Sequence, residues 1–233
     1  MNKIKTEKKP LFLGFELECE IDWDDAYHFT NDLLYCKEDG SIDDGFEIVS
    51  HPMTLRYMKK AKVLEYITDK LKSCGAYEDG GFHVHVNKNF FTSTQLRKLA
   101  LFSTVTKKLL LTLSRRSDYN MDSWARIPEY SREWYKSTRS LSHDRQCAIN
   151  FTNKDTVEFR FFSSTLSLNE LKASILCVES ICQYVKKVRV NNISSKNYIK
   201  FLLTTPKKYD ILVKYIKSRV STLNTKKEVL ECV

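Results

Sequence analysis

No stretch of the sequence is apolar over the roughly 20 residues that a bilayer-spanning helix requires. The opening residues 1–10 carry lysines with no hydrophobic core behind them. Neither a membrane span nor a secretory signal is expected, and the chain reads as cytosolic. Cysteine occurs seven times, an odd number, and never as C-x-x-C, which argues against both a disulfide framework and a thiolate zinc site. There is no internal repeat, no low-complexity tract, no H-E-x-x-H helix motif and no zinc-finger or RNA-recognition signature. What remains is ordinary globular composition: 233 residues, 42% hydrophobic and 29% charged, enough for one main domain with a substantial core.

The net charge of +9 is concentrated at one end. Residues 1–185 hold 26 basic and 26 acidic side chains, whereas residues 186–233 hold 12 and 3. Such a tail can attract nucleic acid, phosphorylated ligands or acidic substrates. A solvated, lysine-rich helical face is the plain alternative.

Alternation with period two predicts a half-buried strand over residues 11–22, with Leu11, Leu13, Phe15, Leu17, Cys19 and Ile21 on the apolar face. A second strand is expected at 46–50, after the turn signals Asp39-Gly40 and Asp44-Gly45. A helix then runs from about Leu55, striped by Met58, Ala61, Leu64, Ile67 and Leu71, and Gly75 ends it. In the strand at 82–87, Phe82, Val84 and Val86 point one way and His83, His85 and Asn87 the other. One helix is predicted over 94–113, followed by an Arg-, Ser-, Trp- and Tyr-rich loop to 145 of the kind that often carries function. A strand pair spans the Asn153-Lys154-Asp155 turn, with Val157, Phe159 and Phe161 alternating with Glu158, Arg160 and Phe162. The clearest helix opens at Ser167, where Glu170 completes a capping box. After a linker at 191–195, basic helices follow. The class is α+β with a mostly antiparallel sheet.

Three doublets carry the chemistry. Residues two apart on a strand share a face about 6.7 Å from each other, so Glu16 and Glu18 present paired carboxylates that resist joint ionisation without a cation between them. His83 and His85 repeat the geometry with nitrogen ligands, and Glu158 and Arg160 set a carboxylate beside a guanidinium suited to phosphate. Taken singly, a solvent-facing acidic strand or a pair of satisfied core histidines explains each as well. Together they are much harder to explain that way.

In order along the chain, Gly14-Phe15-Glu16-Leu17-Glu18, Lys37-Glu38-Asp39-Gly40-Ser41, Gly45-Phe46-Glu47-Ile48-Val49-Ser50-His51-Pro52, Gly81-Phe82-His83-Val84-His85-Val86-Asn87, Ala148-Ile149-Asn150 and Thr156-Val157-Glu158-Phe159-Arg160-Phe161-Phe162 resemble the successive motifs of the amidoligases. His51 departs from the commoner Ser-Pro-Pro at that point. The resemblance covers roughly residues 11–190 and implies a catalytic domain there, with 191–233 as a basic helical C-terminal extension that it does not reach. It implies a curved antiparallel sheet of the glutamine synthetase and glutamate-cysteine ligase type, binding ATP and Mg²⁺ or Mn²⁺. Glu16, Glu18, Glu47, His83 and Glu158 would form the metal shell. His85 and Arg160 would lie near the ATP phosphates and Asp39 near the substrate or amine pocket.

The chemistry agrees with the resemblance. A carboxylate acylates an amine only after activation, and phosphorylation by ATP gathers negative charge that divalent cations and an arginine offset. The function expected is therefore ATP-dependent joining of a carboxylate to an amine through an acyl phosphate. Arg160 would stabilise the transferred phosphoryl group, and Arg139 and Arg145 are further candidates to grip nucleotide or substrate carboxylate. Two other classes compete: a metal-dependent hydrolase using the same His and Glu cluster around zinc, and a nucleic-acid-binding protein acting through the basic tail.

Overall fold

The computed structural model describes residues 9–38, 40, 45–137, 141 and 144–222. The first half comprises β1 (Leu13–Glu20), α1 (Trp23–Tyr27), β2 (Leu34–Glu38), β3 (Gly45–Ser50), α2 (Leu55–Lys60), α3 (Val63–Ser73) and β4 (Gly81–Asn87). Four helices follow: α4 (Ser93–Val105), α5 (Lys107–Ser114), α6 (Asp118–Trp124) and α7 (Arg132–Lys136). The chain continues through β5 (Ile149–Asn150), β6 (Thr156–Ser163), α8 (Leu168–Lys187), α9 (Ser195–Leu203) and α10 (Pro206–Thr222). The strands form one six-stranded sheet in the order β2-β3-β1-β4-β6-β5, every neighbouring pair antiparallel. That is the α+β class expected from the pattern.

Alternation decides which face of the sheet is covered. Leu13, Phe15, Leu17 and Cys19 of β1, Phe82, Val84 and Val86 of β4, and Val157, Phe159 and Phe161 of β6 are buried in a single cluster with residues of α3, α4, α5 and α8. Burying one such side chain is worth about 1.5–3 kcal/mol, so this face fixes the register. A one-residue slip would turn every apolar side chain of a strand outward. Strand β1 is shorter than the alternation implies, because Asp22 leaves the strand and caps α1, accepting the Asp24 N–H at 3.0 Å.

Other expectations are corrected. The helix predicted from Leu55 is two helices, broken where Lys62 adopts a left-handed conformation (φ 51°). The helix predicted over 94–113 likewise divides at Thr106 into α4 and α5. The stretch 114–145, read as a loop, contains α6 and α7. Ser167 does precede α8, but its side chain makes no capping bond, and the reciprocal half of the box is also missing, since the Glu170 carboxylate is drawn to Arg115 and to the Thr165 hydroxyl at 2.6 Å while the Ser167 N–H donates to Thr165. Phe162 does not share a face with Glu158 and Arg160. Between Phe82/Phe162 and Val84/Phe159 the ladder shifts by one residue, so that Arg160 and Phe161 together oppose His83. This bulge returns Phe162 to the core and leaves both Phe161 and Phe162 fully buried.

α8 is the central helix. Its residues from Ala173 to Cys182 are all buried, and it packs against α3, α4, α9 and α10. In the basic segment Tyr198, Tyr209, Leu212 and Ile216 are buried while Lys200, Lys207, Lys214 and Lys217 are exposed, so an apolar stripe holds α9 and α10 in place. Among the described residues no helix is long and apolar enough to cross a membrane.

Candidate active site

The uncovered face of the sheet carries the polar partners of the alternation, and its register assembles them. Glu18 stands opposite Glu47, which in turn stands opposite Lys37. Glu16 stands opposite His83 on β4, and His85 opposite Glu158, which also faces Asn150 on β5. Every strand thus contributes to one cleft of about 810 Å³, roofed in part by Arg116, Asn120, Trp124 and Arg145.

At its floor the His83 Nδ1 lies 3.5 Å from a Glu18 oxygen, 3.5 Å from a Glu158 oxygen and 3.7 Å from a Glu16 oxygen. These separations are too long for good hydrogen bonds. Donor atoms sharing an ion at about 2.0–2.2 Å must themselves stand roughly 3–4 Å apart. His83 Nδ1 stands at such separations from both Glu16 and Glu158, and the ligand atoms of all three lie within 4.8 Å of one another. The residues therefore fit a divalent cation, and the preponderance of carboxylates favours a hard one. Glu47 stands outside this trio, ion-paired to Lys37.

The electrostatics follow from crowding. Burial would push the Glu16 carboxyl up, but His83, His85 and the Lys37 charge outweigh it and hold the group well below the usual carboxylate range. Glu47 goes the other way. Burial and the charges of Glu16 and Glu18 raise it despite the Lys37 contact. Burial would lower His85, yet its 3.4 Å contact with Glu16 and the charge of Glu158 raise it above its ordinary value of 6.5. Glu158 is held on both oxygens, by Arg160 at 2.6 Å and by the Asn150 amide at 2.8 Å.

The sequence model of the family described as "Putative amidoligase enzyme" matches residues 18–182, from β1 through most of α8. The chain belongs to the amidoligase family. As an amidoligase it is a ligase-type enzyme. A comparison with curated proteins found no match.

The amidoligase match includes Glu18, Glu47, His83, His85, Arg145, Glu158 and Arg160, and Glu16 lies two residues before it. All eight line the same cleft. Asp39 and Arg139 lie outside the described residues. Arg145 reaches the cleft with an exposed side chain. Sequence reasoning missed Arg116, whose guanidinium enters from the end of α5. Its only signal was the adjacent pair Arg115-Arg116 at the head of the arginine-rich stretch, with nothing local to say which of the two turns inward. The role of Asn150 as second partner of Glu158 was also missed, although the Ala148-Ile149-Asn150 motif contained it.

Proposed function

We propose that this amidoligase joins a carboxylate to an amine with ATP, on a sheet of the glutamine synthetase and glutamate-cysteine ligase type. The observation that supports it most is the meeting of Glu16, Glu18, His83 and Glu158 on one sheet face with Arg160 beside them. In this reading a carboxylate oxygen of the substrate attacks the γ-phosphorus of ATP and ADP leaves. The amine nitrogen then attacks the acyl carbon, phosphate leaves, and the amine gives up a proton.

Glu16, His83 and Glu158, with Glu18 adjoining, would hold Mg²⁺ or Mn²⁺, and Glu47 would stand in the outer part of the shell. The bound cation supplies charge neutralisation between nucleotide and carboxylate. Arg160 spends one nitrogen on Glu158 and keeps a buried Nε that has no hydrogen-bond partner among the described residues. That leaves it donors for a phosphoryl oxygen. His85 and Arg145 border the same space and would contact nucleotide, and Asp39 is assigned to the amine side.

The reading is tested by incubating the purified protein with ATP, Mg²⁺ and a broad panel of carboxylates and amines. ADP and phosphate released in step with amide formation are the expected products. Release of AMP and pyrophosphate, or no nucleotide turnover with any pair, would overturn it.

Metal affinity and stability should respond to pH in opposite senses. The raised His85 pKa contributes metal-free stability that is complete below its unfolded value near 6.5 and is lost as pH rises through the folded value. The depressed Glu16 contributes stability that is present above its unfolded value of 4.5 and is lost only as pH falls through the low folded one. A cation beside Glu16 competes with the imidazolium, so Mn²⁺ affinity should rise with pH across the same His85 window, by up to about tenfold per pH unit for one proton displaced. Titration of Mn²⁺ at several pH values, beside thermal melts of the metal-free protein, checks both trends.

A further inference from the structure

One end of the cleft holds a guanidinium that the proposed reaction leaves without a role. Arg115, directly after α5, has a left-handed backbone (φ 62°), a conformation unfavourable for a residue with a side chain. The reversal sends two neighbouring arginines to different places. Arg115 is tied to the Glu170 carboxylate and the Ser163 carbonyl. Arg116 enters the cleft, donates its Nε to the Phe162 carbonyl at 3.3 Å, and makes no ion pair among the described residues.

Among the described residues its Nη2 makes no hydrogen bond, and it lies over Gly81. A Cβ at residue 81 would lie 2.4 Å from Arg116 Nη2 and 2.5 Å from His83 Nε2. The imidazole is only 3% exposed, and its Nε2 makes no hydrogen bond among the described residues. A metal-ligating histidine ordinarily donates its second N–H to a protein acceptor; here the second nitrogen faces the same space as the guanidinium. With a cation on the Nδ1 side the proton resides on Nε2, and both groups are then donors. Glu18 is close by, but one of its oxygens is taken by the Gly81 N–H. Converging N–H donors over a backbone with no side chain make a seat for an oxyanion.

We propose that Arg116 and His83 Nε2, above Gly81, bind an oxyanion of a substrate. The source of that oxyanion rests on the ligase reading: a phosphoryl group of the nucleotide, or the carboxylate of the acyl donor.

The test is equilibrium binding of ATP, inorganic phosphate and acetate, with Mn²⁺ present, to wild type, Arg116→Met, Arg116→Lys and Gly81→Ala. Mn²⁺ affinity is measured alongside from the spin-resonance signal of the free ion. Arg116→Met is expected to weaken at least one probe about tenfold or more, as for loss of a charge-assisted hydrogen bond. Arg116→Lys should recover part of the loss, and Gly81→Ala should lose at least as much probe binding as Arg116→Met because its methyl group displaces both the guanidinium tip and the imidazole. Mn²⁺ affinity in Arg116→Met should stay within about twofold of wild type, the usual range for sites that are not coupled. A loss shared by ATP and phosphate assigns the subsite to phosphoryl, and a loss confined to acetate assigns it to the acyl donor; both support the proposal. It is overturned if Arg116→Met binds every probe as wild type does, if Mn²⁺ affinity falls in parallel, or if wild type binds none of the probes. Probe binding that depends on Arg116, in a protein that forms no ADP, would preserve the subsite and remove the ligase reading.

Discussion

Glu158→Gln is expected to reduce ATP turnover by about 1,000-fold or more, with Mn²⁺ bound about 100-fold less tightly, on the scale seen when a charged group at a reacting centre is neutralised. The carboxylate occupies a junction. One oxygen lies 3.5 Å from His83 Nδ1 and accepts the Arg160 guanidinium, and the other accepts the Asn150 amide. Glutamine keeps the shape and one acceptor but removes the charge that draws a cation and holds Arg160. Arg160 would then be free to swing away from the position in which Glu158 holds it. The fold should survive, since the apolar face of β6 is untouched. Unchanged circular dichroism and melting, beside lost turnover and lost Mn²⁺ binding, is the expected pattern. A variant with wild-type turnover would remove Glu158 from the site.

Glu179→Ala should have the largest effect on stability, a loss of about 3 kcal/mol, toward the low end of what breaking a buried ion pair costs because Lys208 is partly exposed. Glu179 is 4% exposed within α8, and it receives Lys208 at 2.8 Å and the Tyr209 hydroxyl at 3.0 Å. Burial and the neighbouring carboxylate push the Tyr209 hydroxyl far up, so it stays protonated and donates to Glu179. Alanine leaves that hydroxyl unsatisfied, leaves Lys208 without its partner, and opens a void. For a chain of this length the loss corresponds to a melting temperature lower by roughly 6–12 °C. Replacing the two buried members, Glu179→Leu with Tyr209→Phe, should recover much of it, because the partly exposed Lys208 can turn to water and no buried polar atom is then stranded. Thermal or urea unfolding of the single and double variants measures the difference. Equal losses in both would show that the polar contact itself, rather than stranded partners or a void, joins α10 to α8.

How much of this was legible beforehand depended on whether the signal was local. Glu16, Glu18, His83, His85 and Glu158 could be assigned to one kind of face from period-two alternation alone. The buried character of the opposite positions made that assignment robust. Which strands adjoin could not be read. That Glu16 opposes His83 and that Glu18 opposes Glu47 follow from pairings between segments dozens of residues apart. Helix breaks at Lys62 and Thr106 carry no glycine or proline, so propensity had nothing to report, and tertiary packing decided them. Ser167 and Glu170 satisfied a capping pattern, but Arg115 and Thr165 offered Glu170 other partners. Arg116 was invisible for the same reason: the backbone reversal that aims it belongs to Arg115, a residue with no intrinsic preference for such a conformation.

The extra residue in β6 is unnecessary for topology. If Phe161 were deleted, Phe162 would still face Phe82 and Ser163 would still face Gly81, and an uninterrupted ladder would run the length of the strand. What would disappear is the local coiling that a two-against-one pairing imposes beside His83. A straighter ribbon would present the same side chains on a flatter floor. The insertion is thus a device for shaping rather than for connecting, and it sets the curl of the wall at the point where Arg160 and Phe161 together face the His83 imidazole.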